Sequence, residues 1–281
     1  MKRQFRLPIK NCELFVVLLL LLAPDKSPGQ TIILTTGQRI DALAVRRDGD
    51  MILGKVQIGA GSGEVGYHIP QIAKIEFPEP RGLKEASDLL DQGHAEKALA
   101  EISQVVSFYE AFKDVPGGWW AQSALIKVSA LGALQRDAEA ESLAAQIEKS
   151  VSDPETARAA RLQLAAGLIR KEDFEKAAKI CDSTIKESTL PDILAEAWIK
   201  KGDLLFAEKK WDEALMAYLH VPIFYPDEKL SLPRALLGSA LSYARLDDNE
   251  RARKSLTQLI ETFPKSAEAA TAHIEIQKIG K

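Results

Sequence analysis

Cysteine is nearly absent: Cys12 and Cys181 are the only two in the sequence. Cys12 lies in an N-terminal leader, so the chain beyond it keeps one thiol and has no internal disulfide framework. Histidine is equally sparse. His68, His94, His220 and His273 stand apart, with no His-x3-His spacing and no neighbouring Cys or Asp set, so no metal site is expected. No serine or cysteine occupies a recognisable nucleophile elbow, and no catalytic residue or cofactor is expected either. The stretch from Gly59 to Gly66 is rich in glycine but lacks the Gly-Lys-Ser/Thr ending of a phosphate loop. Basic excess is missing too. A formal net charge of -3, with lysines scattered, gives no stripe for nucleic acid. Low-complexity tracts are absent, and 46% hydrophobic with 27% charged residues describes a folded globular chain.

The longest apolar run, Leu14 to Ala23, has ten residues, well short of the ~20 that a spanning helix needs. Lys2, Arg3, Arg6 and Lys10 precede it, and Ser27 and Gly29 supply small residues for a cut before Gln30. That layout predicts a signal peptide over residues 1–29, hence a periplasmic or secreted protein. An uncleaved N-terminal anchor is the alternative, and membrane contact is expected only through this segment or a partner. Cys12 precedes the apolar run, where a lipidation cysteine would follow it. Cleavage would change the formal charge from -3 to -6.

Residues 30–78 predict a small all-β domain. Thr31 to Thr36, Gln38 to Arg46, Met51 to Ile58 and Ala73 to Phe77 read as short strands, with Arg47-Asp-Gly-Asp50 as a hairpin signal and Gly59 to Gly63 as a flexible turn. The spacing of turns and strands resembles small SH3-like or Sm-like barrels. Fewer than fifty residues make a poor core, so this head is expected to pack on the helices or on another copy.

From residue 79 to 278 the apolar period becomes helical. Ala98, Ala140, Ala177, Ala214 and Ala252 recur at gaps of 42, 37, 37 and 38 residues, each early in a helical segment. Self-similarity of this length predicts stacked helical hairpins, four clear and one fainter, closed by a capping helix over Ala267 to Ile279. The gap of 42 holds Phe108 to Phe112 and Asp114 to Trp120, an aromatic insertion. Cys181 falls on the buried face as a small hydrophobe.

The best unit reads Trp198-x2-Lys201-Gly202-x2-Leu205, then Ala214-x3-Tyr218, then Pro226. It resembles the tetratricopeptide repeat, with Lys201 in place of leucine and Leu205 in place of tyrosine. The resemblance implies an all-α right-handed solenoid and a concave surface that takes a protein or peptide. The repeat edges Tyr225-Pro226-Asp227 and Phe263-Pro264-Lys-Ser-Ala-Glu-Ala are similar to those of the Tol-Pal accessory protein and of outer-membrane assembly lipoproteins. That likeness implies an envelope scaffold.

Candidate partner-binding residues follow from the first helix of each hairpin: Leu162 and Ile169; Glu196, Ile199, Asp203 and Phe206; Arg234, Leu237 and Leu241. Trp119 and Trp120, beside Gly117-Gly118, are either an exposed aromatic anchor or the filling of a helix entry. The groove residues equally suit internal packing or self-association. Two functions therefore stand: an exported, non-enzymatic adaptor for a protein or peptide, or a homo-oligomeric structural subunit.

Overall fold

The computed structural model describes residues 29–279; the signal peptide expected over residues 1–29 lies outside them except for Gly29. Six strands come first: β1 (Gln30–Leu34), β2 (Arg39–Ala42), β3 (Ala44–Asp48), β4 (Met51–Ile58), β5 (Gly61–His68) and β6 (Ile72–Glu76). They form two antiparallel three-stranded sheets, ordered β2-β1-β6 and β3-β4-β5. Asp48-Gly49-Asp50 turns β3 into β4, with Gly49 at φ +61° where other residues are strained. The expected strand from Gln38 to Arg46 is split at Leu43, whose N–H donates to Lys55 O and joins the sheets. The flexible turn expected over Gly59 to Gly63 is largely strand: β5 pairs with β4 from Gly61 onward. Its glycines leave room for neighbours on β4, since a methyl at Gly63 would sit 2.5 Å from Ile58 Cδ1.

Helices follow in pairs. They are α1 (Arg81–Asp91) with α2 (Ala95–Tyr109), and α3 (Trp120–Ala133) with α4 (Asp137–Ser150). Next come α5 (Pro154–Gln163) and α6 (Ala165–Arg170), one helix interrupted at Leu164, paired with α7 (Phe174–Glu187). Then α8 (Pro191–Ala207) pairs with α9 (Trp211–Phe224), α10 (Leu232–Arg245) with α11 (Asn249–Thr262), and α12 (Ala267–Ile279) caps the array. Consecutive helices pack on one another throughout, so this is a tetratricopeptide-like solenoid. The fainter unit at Ala98 is a complete hairpin.

Two sequence regularities explain the pairing. The five periodic alanines are all buried, and they let the second helix of each pair approach the first. Five residues before each, the turn residue has positive φ: Gly93, Gln135, Glu172, Lys209 and Asp247. These five share the alanine spacing, and one left-handed residue per turn reverses the chain.

Tyr218 shows how tightly the later repeats interlock. A methyl on either Gly202 or Gly238 would lie 2.5 Å from its ring, so the ring is clamped between α8 and α10. Its hydroxyl donates to Asp203 at 2.8 Å, and burial first, then Asp203, pushes the phenol well above its usual range. In the preceding repeat Gly167 plays the parallel part, leaving room for the Asp137 carboxylate that accepts from Arg170.

The head is fastened to the first repeat. Its buried residues, including Ile32, Ile52, Ile75 and Phe77, join one continuous core with Leu83, Ile102, Tyr109, Phe112 and Trp120. The Arg47 guanidinium donates to Ala111 O and to both carboxylate oxygens of Asp114, and Ile75 N–H donates to Pro116 O at 2.8 Å. Gly117 has φ +90°, and a side chain there would meet Ile75 O at 2.3 Å. The longer 42-residue gap is therefore the docking loop for the β head.

Candidate functional site

A cavity of about 830 Å³ lies on the inner side of the array. First helices supply most of its wall: Leu90 and Asp91 from α1, Leu125 and Ile126 from α3, Ala166 and Arg170 from α6, Glu196 and Lys200 from α8. The turn before α10 adds Leu230, and α10 adds Pro233 and Arg234. Phe263, Pro264 and Glu268, at the junction of α11 and α12, complete it. The same cavity thus touches both the first pair and the cap. The two ends also approach at the α1–α2 turn, where a methyl on Gly93 would stand 3.4 Å from Ala267 Cβ.

The floor carries a charge cluster. Lys200 and Arg234 both donate to Glu196, at 3.2 and 2.8 Å, and Arg234 reaches Asp203 at 3.4 Å. Burial alone would raise the Glu196 carboxyl, but Arg234 and then Lys200 outweigh it and hold it at about 2. Arg234 is opposed in the same way: burial lowers it, and Glu196 and Asp203 raise it further, so it stays charged. Two cations facing two carboxylates make a neutral, closed set.

Residues 234–266 match the family model described as Tetratricopeptide repeat. The chain contains a tetratricopeptide repeat. The match covers α10, α11 and the turn into α12, and the preceding hairpins repeat its architecture. No curated protein matches the chain. The repeat match supports a tetratricopeptide-containing protein; it lends nothing to the likeness with the Tol-Pal accessory protein or the assembly lipoproteins. Such repeats generally mediate protein–protein interaction.

Against the expected partner-binding set, the geometry divides. Glu196 and Arg234 line the cavity, and Asp203 backs them. Leu162 and Ile199 do not face it: both are buried between helices, at 1% and 0% exposure. Trp120 is also buried, at 1%, and donates from Nε1 to Glu110 at 2.7 Å, so it fills the helix entry rather than forming an anchor. Trp119 is half-buried and donates to Phe77 O at 3.3 Å, sealing the head onto the array. Ile169 is half-buried outside the cavity wall. Phe206 stacks edge-on against Trp211, while Leu237 packs on the cluster that holds Leu236, Ala240 and Leu256, and Leu241 is half-buried.

This division has a simple origin. Each residue turns a helix by about 100°, so Ile199 and Lys200 flank the Glu196 direction on opposite sides. Apolar character favoured Ile199, and packing took it inward. Lys200 took the groove, held there at 8% side-chain exposure by its carboxylate partner. The wall from Leu90, Leu125 and Ile126 was missed because it belongs to the two least regular repeats.

Among the described residues there is no cluster of three or more His, Cys, Asp or Glu that could hold a metal. Cys181 is buried, and burial pushes its thiol up to about 12, far from a reactive thiolate. No described helix is long and apolar enough to cross a membrane.

Proposed function

We propose that the protein is an exported, non-enzymatic adaptor whose concave groove holds a peptide segment of a partner protein. The observation that carries this reading is the cavity itself. It draws its wall from helices spread across all five pairs and the cap, and it mixes an apolar flank with polar groups of fixed position. The neutral cluster of Glu196, Asp203, Lys200 and Arg234 supplies a pre-organised floor instead of a reacting centre. Export rests on the leader pattern, and the envelope role rests on the repeat-edge likeness. A chain isolated from its native host is expected to begin at or near Gln30.

The groove reading is tested by probing an array of capped peptides with the protein and with Ala166→Trp. Ala166 lines the cavity and is half-buried, so an indole there fills groove volume. Retained peptides are expected to be lost from the variant. Equal retention by both proteins would place binding elsewhere.

Self-association has one observation in its favour. On α9, Met216, Ile223 and Phe224 are 62%, 62% and 65% exposed and lie on one helical face, away from the groove. Light scattering across a concentration series separates the readings: a stable oligomer dissociated by Phe224→Ser would favour the structural subunit.

A further inference from the structure

The charges in the groove are not evenly matched, and the imbalance says what kind of segment fits. On the floor, each cation is already committed. Arg234 serves Glu196 and Asp203, Lys200 serves Glu196, and Arg170 donates to Asp137. A ligand carboxylate would have to displace one of these carboxylates to reach them. Two cavity lysines, Lys229 and Lys265, remain outside these pairs, but both are exposed and hydrated.

The other end of the cavity is acidic. Asp88, Asp91 and Glu268 converge where the end of α1 meets the start of α12. Asp88 is matched by Lys84 at 2.7 Å; Asp91 and Glu268 have no ion-pair partner among the described residues, and Glu268 feels Arg234 only at longer range. Asp88 and Asp91 sit in the last turn of α1, which contains no basic residue. The helix dipole puts negative potential at that end, so these acids stand where cations are favoured. The Asp91 carboxyl is raised above its usual value, first by partial enclosure and then by Asp88 and Glu268. Beside this acidic end lies the apolar wall of Leu90, Leu125 and Ile126.

We propose that the groove selects a peptide segment carrying an apolar side chain next to a lysine or arginine. The apolar group packs on Leu90, Leu125 and Ile126, and the cation bridges Asp91 and Glu268. In doing so it joins the first hairpin to the cap, so a bound segment also ties the two ends of the array together. The inference rests on the groove reading above and adds the chemistry of its occupant.

The test is selection from a randomised library of capped octapeptides by the full-length mature chain, by Asp91→Asn/Glu268→Gln and by Ile126→Arg. Wild type is expected to enrich Lys or Arg over Asp or Glu by roughly two- to fivefold per position, the range of a partly exposed ion pair. Raised salt should reduce that ratio. The double variant should retain less peptide and lose the basic preference while keeping its apolar preference; Asp91 is exposed and Glu268 half-buried, and an unchanged circular dichroism spectrum and urea midpoint check that the fold is intact. Ile126→Arg should lose the apolar preference. Peptides retained without charge preference, or with an acidic one, would overturn the inference and leave the groove reading standing. A basic preference that survives the double variant would also overturn it. No retained peptide at all would defeat both.

Discussion

At the scale of single residues, the sharpest determinants are side chains that are absent. Gly202 and Gly238 exist because the Tyr218 ring occupies the space of their missing methyls. Gly202→Ala or Gly238→Ala is expected to destabilise by about 1–3 kcal/mol through overpacking, read from the urea midpoint. Gly132→Ala is the contrast. No atom lies within 4 Å of a methyl there, and α3 should gain roughly 0.5 kcal/mol from the better helix former. Charge gives a second residue-scale prediction. Glu196 has a folded-state pKa of about 2, below its ordinary 4.5, so its contribution is present above pH 4.5 and is lost as pH falls towards 2. Glu196→Gln should flatten that acid limb of a stability–pH curve. At neutral pH it should also cost about 3 kcal/mol, because Arg234 and Lys200 lose their main partner.

At the scale of elements, the recurring unit is a helix pair joined by one left-handed residue. Four of the five such residues are not glycine: Gln135, Glu172, Lys209 and Asp247. Lys209→Gly should therefore raise stability by up to about 1 kcal/mol, the strain relieved being partly offset by greater freedom of the unfolded chain. Denaturant titration reads this directly. The helix pairs were legible because burial of one alanine per unit repeats at fixed spacing, and a period survives variation at any one position. Lys201, which breaks the repeat pattern, is accommodated outside the core: it pairs with Asp182 at 2.6 Å and lies 5.6 Å from the Trp198 ring centre. The strand β5 was not legible. Gly61 and Gly63 read as part of a flexible turn, whereas Gly63 and, further on, Gly66 leave room for the β4 side chains Ile58, Leu53 and Met51 to lie across the strand.

At the scale of the whole molecule, two long-range arrangements shape the fold around the cavity, and neither has a local signature. One is the docking of the β head, which shares its core with the first two helix pairs. Gly117→Val should disrupt it, since any side chain meets the Ile75 carbonyl. The expected result is early hydrogen exchange confined to residues 30–76 and the 110–119 loop, with α8 to α12 unaffected. The other is the approach of α12 to the α1–α2 turn. It sums small rotations over five pairs, and a sequence period fixes the pair but not that sum. For this reason the repeat pattern points to the helices that line the cavity but not to every face: Glu196 and Arg234 line it, Leu162 and Ile199 are buried between helices, and Leu90, Leu125 and Ile126 carry no repeat signal that marks them as lining.

The claim that the concave groove is the binding surface is tested most directly by site-specific photo-crosslinking. A benzophenone side chain replaces Ile126 in the groove or Met216 on the outer face of α9, and adducts formed in native extract are mapped by mass spectrometry. The groove position is expected to capture segments of a different protein, with apolar and basic residues adjacent, while the outer position captures none of them. Adducts arising only from position 216, or only to this same chain, would contradict it.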